Sequence, residues 1–114
     1  MVQIILPNEV PMSWNKLYAG QHWRVRYDEA NRVHQVVRAA IDPDEAVPFD
    51  VPVDITVTAC FASSPLDADN IIAKLYIDAL KGWYLRGDSL PHVRSVTTVS
   101  VVGPSPYVEI KIAT

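Results

Sequence analysis

Three features of the chain point to a mixed α/β domain with α+β character, a single mixed β-sheet carrying two main helices. Residues 51–61 alternate strictly between apolar and polar, with Val51, Val53, Ile55, Val57, Ala59 and Phe61 on one face. That is the period of a half-buried strand. Two other stretches repeat apolar residues at helical spacing, and the elements run strand, basic arm, helix, strand, helix, strand, strand.

Val2 to Leu6 is an apolar run of strand length, closed by Pro7 and a turn containing Pro11. Ser13 to Arg26 mixes aromatic and basic residues, and Gly20 suits a turn, so two short extended arms are expected there. Asp28 can cap a helix from about Asp28 to Ile41, in which Ala30, Val33, Val37, Ala40 and Ile41 recur at helical spacing. The segment DPDEAVPFDVP has three prolines, four acids and no periodicity, and reads as a solvated connector.

After the alternating strand, Ser63-Ser64-Pro65 is a breaker. Helix formers then run from Ile71 to Lys81 and stop at Gly82, with Ile72, Leu75, Tyr76 and Ala79 as the expected buried stripe. The last two strands, about Val93 to Val102 and Tyr107 to Ile112, flank Gly103-Pro104-Ser105-Pro106, which predicts a terminal hairpin.

A chain of 114 residues suits one domain spanning 1–114, and 49% hydrophobic with 20% charged residues fits neither disorder nor a membrane span. The single cysteine, Cys60, excludes an internal disulfide, and no charged-then-apolar leader is seen; a cytoplasmic protein is expected. A net charge of −3 argues against nucleic-acid binding, since phosphate contacts call for basic surface. The acidity is local, however. Residues 42–69 hold seven acids and no base, whereas the segments before and after each carry five bases against three acids.

Asp67 and Asp69 are two apart in a stretch read as extended, so both carboxylates can address one point. Hard cations such as Mg²⁺ take oxygen ligands and need only one or two carboxylates plus substrate phosphates. A plainer reading has Asp69 or Asn70 capping the next helix and Asp67 in the turn before it. An EF-hand is excluded, because Ile71 and Ile72 stand where a ligand and a glycine are required. His34, His92 and Cys60 have no partners at zinc spacing, and no phosphate-binding glycine loop is present. His22, Arg24 and Arg26, with Lys16 nearby, suit contact with a DNA backbone, and a merely solvated hairpin fits them equally. Trp14 and Trp23 are expected to be buried, in the core or at an interface, more than stacked on bases.

The segment PLDADNIIAKLYIDALKGWYLRGDSLPHV, together with LPNEVPMSWNKLY, resembles the RusA family of Holliday-junction resolvases. The shared features are the Asp-x-Asp-Asn motif at Asp67, Asp69 and Asn70, the lysine Lys74, Asp78-Ala79-Leu80 and a later aspartate, Asp88. The resemblance covers nearly the whole chain. It implies a RusA-like fold, an intimate homodimer and a bacterial or phage origin. It also implies Mg²⁺, with Mn²⁺ as a possible substitute, held by Asp67, Asp69 and Asp88, and Lys74 at the scissile phosphate. The substrate implied is branched DNA, a four-way junction cut by paired nicks. Asn15, Asn70 and Asp78 would be supporting residues, and Asp78 lies four residues from Lys74, at ion-pair spacing. The chain departs from the family at three points. Lys74 lies five residues after Asp69 where the family has four, Ala62 to Leu66 replace an arginine run, and Gly87 replaces an acid. An extra residue among Ile71 to Ala73 is harmless before the helix but would turn the lysine by about 100° inside it.

Overall fold

The computed structural model describes residues 1–20 and 22–114. Four strands, β1 (Val2–Pro7), β2 (Val53–Phe61), β3 (Val93–Val102) and β4 (Tyr107–Ala113), form one sheet in the order β1-β4-β2-β3. β4 is antiparallel to both β1 and β2, whereas β3 is parallel to β2. The helices are α1 (Trp14–Tyr18), α2 (Trp23–Ala39) and α3 (Ala73–Ala79), with a single 3₁₀ turn at Ala68–Asn70. This is the expected mixed α+β class.

β2 is the central strand because its inward set is apolar throughout. Val53, Ile55, Val57 and Ala59 have no exposed surface, and Ile110 and Ile112 of β4 continue the layer. Each fully buried Val or Ile contributes roughly 1.5–3 kcal/mol relative to exposure. Val33 and Val37 of α2 and Tyr76, Ile77 and Leu80 around α3 cover this face. The stripe expected on α3 is present, except that Leu75 is only partly buried. The helix expected from Ile71 to Lys81 spans only Ala73–Ala79 with Leu80 as its C-cap, and Gly82, two residues further on at φ +86°, donates its N–H to Leu85 C=O at 2.8 Å.

Two expectations fail. The last two strands do not form a hairpin, since β2 lies between β3 and β4. A parallel β2–β3 pair needs a crossover, and α3 lies in the chain between those strands. Residues 103–106 then have to span only two strand spacings, about 10 Å, to carry the chain past β2 to its other side. The extended arms are also absent. Residues 14–18 are helical, with the Ser13 hydroxyl accepting from Lys16 N–H at 3.0 Å, and α2 begins at Trp23, five residues before Asp28. Among the described residues of this segment only Ser13 makes a β-bridge, to Ile71, and helical spacing brings Trp14 over Tyr18 and Trp23 against Tyr27.

A buried ionic network joins the loop after β1 to both longer helices. Arg32 donates to Glu9 at 2.8 and 2.9 Å and to Glu29 at 2.6 and 3.2 Å, and Tyr76 Oη donates to Glu9 at 2.7 Å. Glu9 and Glu29 are 4% and 6% exposed, so both carboxylates depend on these donors. Hydrogen bonds to Glu9, then to Glu29, hold the Arg32 guanidinium well above its ordinary pKa. Burial, followed by the Glu9 charge and hydrogen bond, raises the Tyr76 phenol.

Candidate functional site

The segment between β2 and α3 carries Asp67, Asp69 and Asn70, and β3 fixes its path. Ser100 Oγ donates to Leu66 C=O at 2.5 Å, and Thr98 Oγ1 donates to Ala68 C=O at 2.7 Å. Asn70 Oδ1 accepts the Asn15 N–H at 3.2 Å, and Ser13 bridges to Ile71, tying the start of α1 to the same place. Asp67 is extended (φ −65°, ψ 150°) and lies before the 3₁₀ turn, and the N-cap position of α3 is Ile72 with no side-chain capping bond, so neither Asp69 nor Asn70 caps that helix.

These residues enclose a polar cleft of about 250 Å³ lined by Trp14, Asn15, Asp67, Asp69 and Asn70. Both carboxylates are exposed, and among the described residues neither has a basic partner. Two free carboxylates beside two amide side chains form an all-oxygen acceptor set of the kind a hard divalent cation takes.

Ile71 and Ile72 remain extended or irregular, and the helix starts only at Ala73. Lys74 is thus the second residue of α3, in its first turn. Lys74 Nζ lies 3.5 Å from Asp78 Oδ1 and 3.6 Å from Asp88 Oδ2. Lys81 is closer to both, at 3.2 and 3.1 Å. Two lysines and two aspartates thus form a closed square. Asp78 Oδ1 is buried and has only these ion contacts, without a well-aligned hydrogen bond. The hydrogen bond from Lys81 is the main cause holding Asp88 below its ordinary carboxylate pKa, and the same bond raises Lys81.

Asp88 and Lys74 line a separate cleft of about 240 Å³ with Ala73, Ile77, Val93 and Val96. Among the described residues, no three His, Cys, Asp or Glu side chains converge as a metal-holding group. Asp67 and Asp69 therefore come together, while Asp88 stands with the lysines. Lys81 escaped the sequence reading, although its place three residues after Asp78 was a usable signal.

Of the basic residues, Lys16 is exposed on α1, and His22 caps α2 by accepting the Arg24 N–H on Nδ1 at 3.1 Å. Arg24 lies over Trp23 and Arg26 over Tyr18. Trp23 is 54% exposed on the single chain and so is not part of the core. Cys60 is buried, and among the described residues no helix is long and apolar enough to cross a membrane. Compared with known proteins, the chain matches no family model and no curated protein.

Proposed function

We propose that this chain is a RusA-like, Mg²⁺-dependent endodeoxyribonuclease that works as a homodimer on branched DNA, resolving four-way junctions by paired nicks. The observation that carries the reading is the pair of unneutralised carboxylates, Asp67 and Asp69, in one cleft with Asn15 and Asn70. This donor set fits Mg²⁺ or Mn²⁺, with Asp67 and Asp69 as the protein's ligands and a DNA phosphate completing the shell. A bound ion there would polarise the phosphodiester and acidify a water. Lys74, 63% exposed in its side chain, would have to exchange its contacts with Asp78 and Asp88 for the scissile phosphate to offset charge developing on it. Asp78 and Lys81 orient Lys74 and Asp88. A bacterial or phage-infected cytoplasm is the compartment proposed.

A second reading, a silent relative that binds DNA or protein, draws on the engagement of Asp88 by Lys81 and Lys74, apart from the acid pair. One experiment separates the two. Labelled four-way junction and matching duplex are incubated with the protein in Mg²⁺ or EDTA, and products are resolved on a denaturing gel. Symmetric nicks that need the junction and Mg²⁺, are lost in Asp69→Asn and leave junction binding intact, support the nuclease. Binding without cleavage by the wild type supports the silent relative.

A further inference from the structure

The aromatic and basic residues of α1 and α2 form a stacked surface. The Trp14 and Tyr18 rings have centroids 5.2 Å apart and planes 24° from parallel. The Arg26 guanidinium lies 5.4 Å from the Tyr18 ring centre, and that of Arg24 lies 5.2 Å from Trp23. Tyr18 is 53% exposed, so this aromatic surface faces solvent. Contiguous exposed rings mark a contact surface more often than a solvated one.

A cleft of about 520 Å³ opens here, lined by Trp14, Asn15, Tyr18 and Ala19. It shares Trp14 and Asn15 with the polar cleft that holds Asp67 and Asp69. An aromatic recess and a cation-accepting recess thus meet at two residues. A ligand that fills both has a flat apolar part beside an anionic part that brings a divalent cation to the carboxylates. An unpaired nucleotide has this form. Bases inside a duplex are stacked on one another and cannot enter. A cationic peptide is opposed by Lys16, Arg24 and Arg26, the same charges that favour a phosphate backbone.

We propose that the Trp14–Tyr18 cleft stacks an unpaired base of a single-stranded DNA segment, with the adjoining phosphodiester at Asp67 and Asp69. This deepens the nuclease reading and rests on it for the cation at the acid pair. It requires the base beside the cut to unpair, as one can at the crossing point of a four-way junction, and it gives Arg24 and Arg26 the flanking phosphates.

The test is fluorescence anisotropy of a fluorescein-labelled oligothymidylate and of an abasic strand of equal length. It is run in Ca²⁺, which accepts the same oxygen ligands. Stacking of one base predicts a preference for oligothymidylate of roughly 5- to 100-fold. Tyr18→Leu should remove the preference while Tyr18→Phe keeps it. Ala19→Glu, at the exposed rim, should remove it without deleting a ring. Circular dichroism confirms that each variant is folded. Equal wild-type affinity for the two strands, or an undiminished preference in folded Tyr18→Leu and Ala19→Glu, overturns the inference. Junction cleavage in Mg²⁺ is measured on the same preparations. Cleavage without base preference overturns this inference alone, whereas base preference without cleavage upholds the stacking site and overturns the nuclease reading.

Discussion

Arg32→Met isolates the ionic network from the rest of the fold. The methionine preserves much of the aliphatic stem but deletes the guanidinium, leaving Glu29 without the charged partner it has now and Glu9 with Tyr76 Oη alone. Stripping one partner from a buried ion pair costs about 3–5 kcal/mol. The Arg32 side chain is 43% exposed, and water reaching it screens part of that interaction. The expected loss is therefore about 2–4 kcal/mol. With a urea slope of roughly 1–3 kcal/mol/M, the midpoint should fall by about 0.7–4 M. Urea titration followed by tryptophan fluorescence measures it at pH 7. Adding Glu29→Gln to Arg32→Met should restore part of the loss. A deficit below about 1 kcal/mol would refute the view that Arg32 holds two buried acids in place.

Other perturbations test other parts of the molecule. A Cβ on Gly103 would meet Cys60 Sγ at 2.8 Å, so Gly103→Ala should cost roughly 1–3 kcal/mol and Cys60→Ala should relieve it, read as a double-mutant cycle in urea. Leu80→Ala, at a position with no exposed surface, should lose about 2–5 kcal/mol in the same assay. Hydrogen bonds from Arg94, then Ser95, lower the Asp54 carboxyl to about 2 from an ordinary value near 3.8. Its folded pKa is depressed, so its contribution is complete above about pH 4 and is lost as the pH falls toward 2. Thermal melts from pH 6 to 2 should show the wild type's advantage over Asp54→Ala fading across that window.

Much of the fold was legible because it was local. The alternation of β2 and the apolar spacing of α2 and α3 depend on neighbours a few residues away, and all three elements formed. Asp67 and Asp69 do line one cleft, but not by the alternation of an extended segment, since Asp69 lies in the 3₁₀ turn Ala68–Asn70. The terminal hairpin misled because Gly103-Pro104-Ser105-Pro106 specifies a change of direction without specifying which strand lies beside the next. The residues from Ser13 to Arg26 mix aromatic and basic side chains, but among the described ones only Ser13 makes a β-bridge, and helical spacing pairs the rings instead. Glu9, Arg32 and Tyr76 could not be read as a group, since the arginine and tyrosine lie 23 and 67 residues beyond the glutamate they share. The pairing of Asp88 with Lys81 was hidden likewise by a turn, residues 82–87, whose geometry no periodicity encodes.

The placement of β4 between β1 and β2 governs the order in which the sheet can assemble. β2, α3 and β3 are consecutive in the chain and can close a parallel unit within residues 53–102. β1, by contrast, touches the sheet only through β4, and residues 2–7 must find residues 107–112 across nearly the full length of the chain. Closing so long a loop is entropically costly, and contacts of this range set a slow rate. Folding is therefore completed by its two most distant segments, and the network from Glu9 to Arg32 and Tyr76 can lock only once β1 has docked.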